Sequence, residues 1–446
     1  MNLPEDFIRE TRQVMGEQRF NRFMEAFNED APTSIRVNPR LISNEKLVIS
    51  NCDDSDSGET RVPWCPEGYY LSDRPQFTFD PLFHAGCYYV QEAASMFITH
   101  ILNWWKVEGG GWRENTPTTE KTAAEFGIKC NLPPPSTLHL QPLAVLDLCA
   151  APGGKSTAMR TVLPEGSILV SNEPIPTRAQ ILLENITKWG WPDCIVTNNY
   201  PRDFRKAKAR FDIILCDVPC SGEGMFRKDP NAINEWSLQN VEKCWRLQRE
   251  IVADACECLN PGGLLIYSTC TFNIKENEEN VRWIMETYDA VPLTIPTEPE
   301  WNITGSLLES FDVPVYRFIP GITRSEGLFI CALRKGGGLK VEGGGRILQP
   351  QKKLPQNLGL NVISLLPPPS TLHIDLSYSD ALRYLRGEAL VLPPDTPRGI
   401  VTVTYKGFPL GPVKNIGNRA NNLYPKSWRI KTTHLPTEPV EIIYKQ

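Results

Sequence analysis

The run Val145-Leu-Asp-Leu-Cys149-Ala150-Ala151-Pro152-Gly153-Gly154-Lys155-Ser-Thr157 decides the fold of this 446-residue chain. An apolar stretch from Leu143 to Leu148 stops at a Pro-Gly-Gly turn, and helix-forming sequence starts at Lys155. A strand, a glycine turn and a helix N-terminus in that order form the usual cradle for a nucleotide-like ligand in a doubly wound sheet. Gly153 and Gly154 let the backbone approach a ligand that a Cβ would hold off. The turn is not G-x-G-x-x-G, so a dinucleotide pyrophosphate is not its natural guest, and a nicotinamide-dependent oxidoreductase is disfavoured. The next apolar run, Ser167 to Val170, leads into Asn172-Glu173. An acid about twenty residues past the glycines suits ribose hydroxyls, so the pair of features fits adenosine without a pyrophosphate, as in S-adenosylmethionine.

Working outward, apolar runs recur at Leu143–Leu148, Ile168–Val170, Cys194–Thr197, Phe211–Cys216, Gly263–Ser268 and Leu328–Leu333, separated by helical patterns such as Arg178–Trp189 and Asn240–Cys258. This alternation predicts an α/β, Rossmann-like doubly wound sheet over 142–335, with ligands outside the carboxyl ends of the strands. The candidate residues therefore follow each strand: Cys149 to Lys155, Glu173, Asn198 to Tyr200, Asp217 to Arg227, and Thr269 to Thr271.

Around that centre, residues 1–100 read as a small α+β region. Phe20, Phe23, Met24 and Phe27 have the spacing of a helix with one buried face, within a helical stretch from Pro4 to about Phe27. Ser34 to Asn38 alternates as a strand stopped by Pro39. Aromatics interleaved with prolines from Val62 to Phe83 read as core of a small unit rather than as a stacking platform. His84 to Met96 leads into a helix through Trp105. Residues 106–141 are rich in Gly, Thr and Pro and form an inserted loop. Lys106 to Gly111 recurs as Lys340 to Gly345, and Leu132 to His139 recurs as Leu366 to His373. The simplest account is one element inserted twice into functionally neutral surface loops, the second within a linker over 336–375. The remainder, 376–446, is a smaller β-rich unit with strand-like Gly399–Tyr405 and Val440–Tyr444. From Arg398 to Lys431 it holds seven Lys or Arg and no acid.

With 41% hydrophobic and 22% charged residues, the composition is that of a soluble globular protein. No apolar run is long enough to span a membrane and the acidic N-terminus lacks a signal-peptide pattern, so a cytoplasmic monomer is expected. The 13 cysteines show no paired C-x-x-C spacing, which predicts reduced thiols and no metal site. A net charge of −5 argues against a general nucleic-acid coat but leaves room for the local basic stretch.

Two of those cysteines follow strands, in Asp217-Val-Pro-Cys220-Ser-Gly-Glu-Gly224 and in Ser268-Thr-Cys270-Thr271. A lone strand-end cysteine is most simply a buried thiol. Two bordering one cleft, beside an aspartate, suit a particular reaction. Carbon 5 of a pyrimidine is a poor nucleophile until a thiolate adds to carbon 6. A methyl can then be taken up at carbon 5, a base removes the carbon 5 proton, and the thiolate leaves by β-elimination. Asp217 is placed to serve ring nitrogen 3, and the second thiol to take part in release.

In this order and spacing, Cys149 to Lys155, Asp217 to Gly224 and Ser268 to Thr271 resemble the motifs of the Sun/Nop2-type RNA cytosine-C5 methyltransferases. The resemblance covers nearly the whole chain. Ser34 to Pro39 and His84 to Met96 resemble the family's N-terminal RNA-binding region, and Glu326-Gly-Leu-Phe329 resembles the strand that closes its catalytic domain. Gly417 to Pro425 with Trp428-Arg429 resembles the PUA-like C-terminal part of the bacterial RsmF type, which acts on 16S ribosomal RNA. The resemblance implies S-adenosylmethionine as cofactor, Cys270 as nucleophile and Cys220 as the cysteine of release. The assignment rests on resemblance alone, since DNA cytosine methyltransferases attack with the cysteine of their Pro-Cys motif. Cofactor contacts carry over to Cys149, Ala150, Ala151, Pro152, Gly153, Gly154, Lys155, Glu173 and Asp217. Relatives often have an acid after the third strand, near the adenine; here stands Asn198-Asn-Tyr200, so Asn199 or Tyr200 takes that place. Lys155 is read equally as an exposed helix-start residue or as a contact to the methionine carboxylate. RNA phosphate contacts are expected from Arg227 and Lys228 and from Arg419, Lys426 and Arg429 in the basic stretch. The expected partner is ribosomal RNA or the small ribosomal subunit. Transfer RNA is the alternative substrate, and a non-catalytic ribosome-assembly factor of this fold the alternative class.

Overall fold

The computed structural model describes residues 2–42, 47–49, 60–108, 141–336, 360–363, 372–432 and 434–445. Its centre is a sheet of six principal strands: β1 (Ala144–Asp147), β2 (Ile168–Asn172), β3 (Cys194–Thr197), β4 (Phe211–Asp217), β5 (Leu259–Thr269) and β6 (Leu328–Lys335). They lie in the order β6-β5-β4-β1-β2-β3. All neighbours are parallel except β6, which runs antiparallel to β5. Helices cover both faces, so each strand is buried on both sides and reads as an unbroken apolar run rather than an alternating one. Two separate cores result, one around Val145, Leu169 and Ile213 and the other around Leu146, Val170 and Ile214. The chain runs outward from β1 through β2 to β3, then returns to β4 on the other side of β1. That reversal opens a crevice at the carboxyl ends of β1 and β4, where ligands of such sheets bind.

The N-terminal helical stretch is two helices, Glu5–Met15 and Glu17–Glu25, not one. Gly16 separates them at φ 73°, a left-handed value that glycine adopts without Cβ strain. Their buried Phe7, Phe20 and Phe23 pack against Phe226, Trp236 and Phe272, which belong to the segments following β4 and β5. Phe23 meets Phe272 edge-on with centroids 4.9 Å apart, and Phe7 meets Phe226 at 5.0 Å.

Thr33–Val37 forms a three-stranded sheet with Gly68–Leu71 and Tyr88–Val90. Trp64, Tyr70 and Phe77 from the aromatic stretch are buried. The helix after it spans Phe97–Glu108. In the C-terminal region His373–Asp375, Gly399–Tyr405, Phe408–Asn415 and Ala420–Asn422 form a four-stranded sheet beside the helix Tyr378–Leu385. This unit does not stand apart: Leu382, Leu385 and Val403 share one core with Ile35, Val37 and Tyr88 of the N-terminal sheet. Ile443–Lys445 also pairs with Leu47–Ile49.

The two inserted copies lie almost wholly outside the described residues. Of the flanking linker, Val362–Ile363 adds an antiparallel strand to β3, and His373 opens the first strand of the C-terminal sheet. Among the described residues no helix is long and apolar enough to cross a membrane.

Candidate active site

The glycine turn joins β1 to the helix Gly154–Val162, with Gly153 as its N-cap at φ 113°. The turn is pinned from outside. Ala150 N–H donates to the Asn172 carbonyl at 2.7 Å, Arg178 donates to the Ala151 carbonyl at 3.0 Å, and Asn185 donates to the Pro152 carbonyl at 2.8 Å. Cys149 at its start is pushed far above the ordinary thiol range by burial and by Asp147, so it stays protonated. Asp147, at the end of β1, is fully buried. Its Oδ2 accepts from Ser156 at 2.6 Å while its Oδ1 has no hydrogen-bond partner among the described residues, and burial raises its pKa to about 7. Glu173, following β2, is 1% exposed; its Oε1 accepts from Ile175 N–H, and among the described residues its Oε2 has only the Arg178 guanidinium, at 3.6 Å. Among the described residues, two buried carboxylate oxygens thus lack hydrogen-bond donors at the carboxyl edge of the sheet, which is what a ligand with a ribose diol and an ammonium would satisfy.

Of the two candidates after β3, Asn199 is 8% exposed and already engaged. It exchanges hydrogen bonds with the backbone of Asn361, at 3.0 and 3.2 Å. Tyr200 is 57% exposed. Lys155 is partly buried rather than an exposed helix-start residue. Its ammonium lies 2.9 Å from Asp217 Oδ2, and Asp217 Oδ1 accepts from Ser268 Oγ at 2.7 Å. Burial works against the Lys155 charge, but Asp217 beside it outweighs burial and lifts its pKa above the ordinary value.

Asp217 ends β4 directly opposite Ser268 of β5, so the turns that follow both strands open on one cleft. They bring Cys220 Sγ to 3.3 Å from Cys270 Sγ, as two partly exposed free thiols. Contact with the Cys270 sulfur, then burial, pushes the Cys220 thiol well above its usual range, so Cys220 keeps its proton.

What holds these turns together was not evident from the motifs. Gly224 N–H donates to the Cys270 carbonyl at 2.7 Å, and a Cβ at Gly224 would sit 2.6 Å from that oxygen. Ser221 Oγ lies 3.0 Å from Thr271 Oγ1. Two fully buried carboxylates tie the rest. Glu223 accepts from the backbone N–H groups of Phe272 and Asn273 and from Trp236 Nε1. Glu276 Oε2 accepts from Ser221 N–H at 3.0 Å and from Gln248 Nε2 at 2.7 Å, while the same Gln248 nitrogen donates to the Pro219 carbonyl at 2.9 Å. Cys220 is therefore held on both sides, through Pro219 and Ser221. Asn273 closes the set on Glu276 Oε1. Behind it the buried Arg317 pairs with Glu278 and donates to the Phe272 carbonyl at 2.8 Å.

The residues expected to meet RNA are spread more widely. Arg227 donates to the carbonyls of Glu29 and Asp30, and Lys228 pairs with Glu326. Arg419 and Lys426 are exposed on the C-terminal unit. Arg429 is half-buried, donates to the Tyr424 carbonyl and lies against Gly387. Trp428 packs edge-on to Tyr424 at the margin of the shared core.

Three family models match: the 16S rRNA methyltransferase RsmB/F at residues 137–334, the N-terminal domain of 16S rRNA methyltransferase RsmF at 3–93, and the methyltransferase RsmF PUA domain at 371–430. Ribosomal RNA small subunit methyltransferase F of Enterobacter sp. (strain 638) is 28% identical, over 95% of this chain and 95% of that protein. The protein of that name from Photobacterium profundum is 31% identical, over 75% of this chain and 64% of its own length. Among solved structures, a methyltransferase homolog from Pyrococcus horikoshii superposes with a TM-score of 0.55 at 23% identity, covering 74% of this chain and 95% of that one. NSun6 from Pyrococcus horikoshii with SFG does so with a TM-score of 0.54 at 20% identity, covering 75% and 98%. At these identities the structural likeness carries the fold, and the matched family models carry the kinship: the chain belongs to the RsmB/F family of 16S rRNA methyltransferases.

Proposed function

We propose that this chain uses S-adenosylmethionine to methylate carbon 5 of a cytosine in small-subunit ribosomal RNA, through a covalent bond between Cys270 and the base. The observation that carries the reading is the pair of thiols 3.3 Å apart in one cleft with the Lys155–Asp217 ion pair. Asp147 and Glu173, with their undonated oxygens, and the glycine turn between them are the residues that would hold the cofactor. When bound, it supplies an electrophilic methyl group on a sulfonium.

The protein's own residues attack the base, orient it and offset its charge, and the carbon 5 proton leaves to solvent. The target cytosine must leave its stack to enter the cleft. Cys270 loses its Sγ proton to solvent and forms a bond from Sγ to carbon 6, and the electron pair of the ring's 5,6 double bond makes carbon 5 nucleophilic. Asp217 accepts from the exocyclic amino edge of the base, and the Lys155 ammonium offsets negative charge building on the ring. After methylation solvent takes the carbon 5 proton, the freed electron pair restores the ring double bond, and the bond from Cys270 to carbon 6 breaks. Cys220 stands 3.3 Å from the departing sulfur and is placed to act in that release.

The test is transfer of radiolabelled methyl to naked small-subunit RNA, assembled small subunits and transfer RNA, followed by nucleoside analysis. Label in 5-methylcytidine of small-subunit RNA is expected. Label confined to transfer RNA, or carried on another base or on ribose, overturns the reading.

A further inference from the structure

A cavity lies away from the thiols, at the junction of the N-terminal sheet region and the C-terminal unit. It measures about 590 Å³, and Phe79, Phe83, Val90, Ile430, Arg74 and Lys431 line it. Phe79 and Phe83 are half-buried and Arg74 and Lys431 are exposed. Among the described residues no acidic one lines the cavity, in a chain of net charge −5. Its walls are fixed rather than loose. Tyr378 donates from its hydroxyl to the Phe79 carbonyl at 3.1 Å, and the buried His84 ring meets the Thr78 carbonyl at 2.9 Å.

We propose that this groove is a second RNA site, taking one or two unpaired nucleotides of the substrate outside the cytosine that reacts. The inference rests on RNA being the substrate. Single-stranded nucleic acid is held by base faces stacked on aromatic rings together with cations along the backbone, and this groove is lined by phenyl rings and two cations. A volume of about 590 Å³ lies within the range of small-molecule sites and matches a nucleotide rather than a duplex groove. The groove also spans the two regions matched by the RsmF N-terminal and PUA models, so an RNA strand seated there touches both. A peptide is the other occupant of comparable size, but a described lining with two exposed cations and no acid favours a sugar–phosphate backbone.

The experiment uses the full chain with a single-stranded RNA decamer, titrated across a series of KCl concentrations, alongside the KM for methylation of small-subunit RNA. Arg74→Ala with Lys431→Ala, both at exposed positions, is expected to weaken binding and to reduce the slope of log K against log salt by about 1.4, at about 0.7 per phosphate contact. Phe83→Leu keeps an apolar side chain but removes the ring face, and is expected to weaken binding about 5- to 150-fold with the salt slope retained. The KM is expected to rise in both. Unchanged affinity, slope and KM in both variants, with wild type still methylating RNA, would overturn the groove assignment and leave the proposed function standing. Failure of wild type to methylate or bind any RNA would instead overturn the reading on which the groove rests.

Discussion

Replacing Glu276 with Gln separates the two things this buried side chain does. Its carboxylate accepts from Ser221 N–H, Gln248 Nε2 and Asn273 Nδ2, all donors. Burial, and then the nearby Glu223, raises its pKa from 4.5 to about 7. A group whose folded pKa is raised contributes stability that is present below its unfolded pKa and lost as pH rises through the folded one. At 1.36 kcal/mol per pH unit, the gap between 4.5 and about 7 is worth about 3.4 kcal/mol, of which about 2 kcal/mol is lost between pH 5 and pH 7. Glutamine does not titrate, so the variant lacks this loss. At pH 5 Glu276 is itself protonated and its hydroxyl must face one of the three donors, as the glutamine amide nitrogen does, so the two side chains are near equivalents there. The variant should therefore be close to wild type in stability at pH 5 and more stable by about 2 kcal/mol at pH 7. Urea unfolding of both proteins at the two pH values measures this, and other buried acids such as Asp80 and Asp147 cancel in the comparison. A stability difference that stays constant from pH 5 to pH 7 would refute the assignment of a raised, proton-exchanging Glu276.

Two further outcomes follow from the same geometry. Gly224→Ala places a Cβ 2.6 Å from the Cys270 carbonyl, so the two turns must part. Because displacement of reacting groups by about 1 Å can cost about 100-fold, kcat should fall by that order while circular dichroism stays native, and an unchanged kcat would contradict the clamp. Glu173→Ala removes a buried acceptor with an undonated oxygen. Calorimetry should show S-adenosylmethionine binding weakened about 10- to 100-fold, the equivalent of one charge-assisted hydrogen bond, and equal affinity would remove Glu173 from the cofactor site.

The strands were legible because parallel strands buried on both faces leave continuous apolar runs, and the turn residues of the three motifs follow them. Local reading stopped where partners are distant in sequence. Gly16 ended a helix that apolar spacing alone would have continued, since a spacing pattern carries no φ. Glu276 stands six residues after Cys270 and gives no sign that Gln248, 28 residues away, shares its proton-accepting oxygen. Lys155, Asn199 and Asp217 were recognisable as cleft residues, but the pairings of Lys155 with Asp217 and of Asn199 with Asn361 were not. The common core of the N- and C-terminal regions left no local mark, because Val37 and Val403 each read as an ordinary strand residue whichever neighbour covers them.

The central claim is that Cys270 attacks the base and Cys220 acts in release. The most direct measurement incubates wild type, Cys270→Ala and Cys220→Ala with S-adenosylmethionine and small-subunit RNA, then resolves denaturant-resistant protein–RNA adducts. The account predicts that Cys270→Ala forms no adduct and transfers no methyl, while Cys220→Ala accumulates adduct. Adduct that survives in Cys270→Ala and disappears in Cys220→Ala would contradict it and make Cys220 the nucleophile.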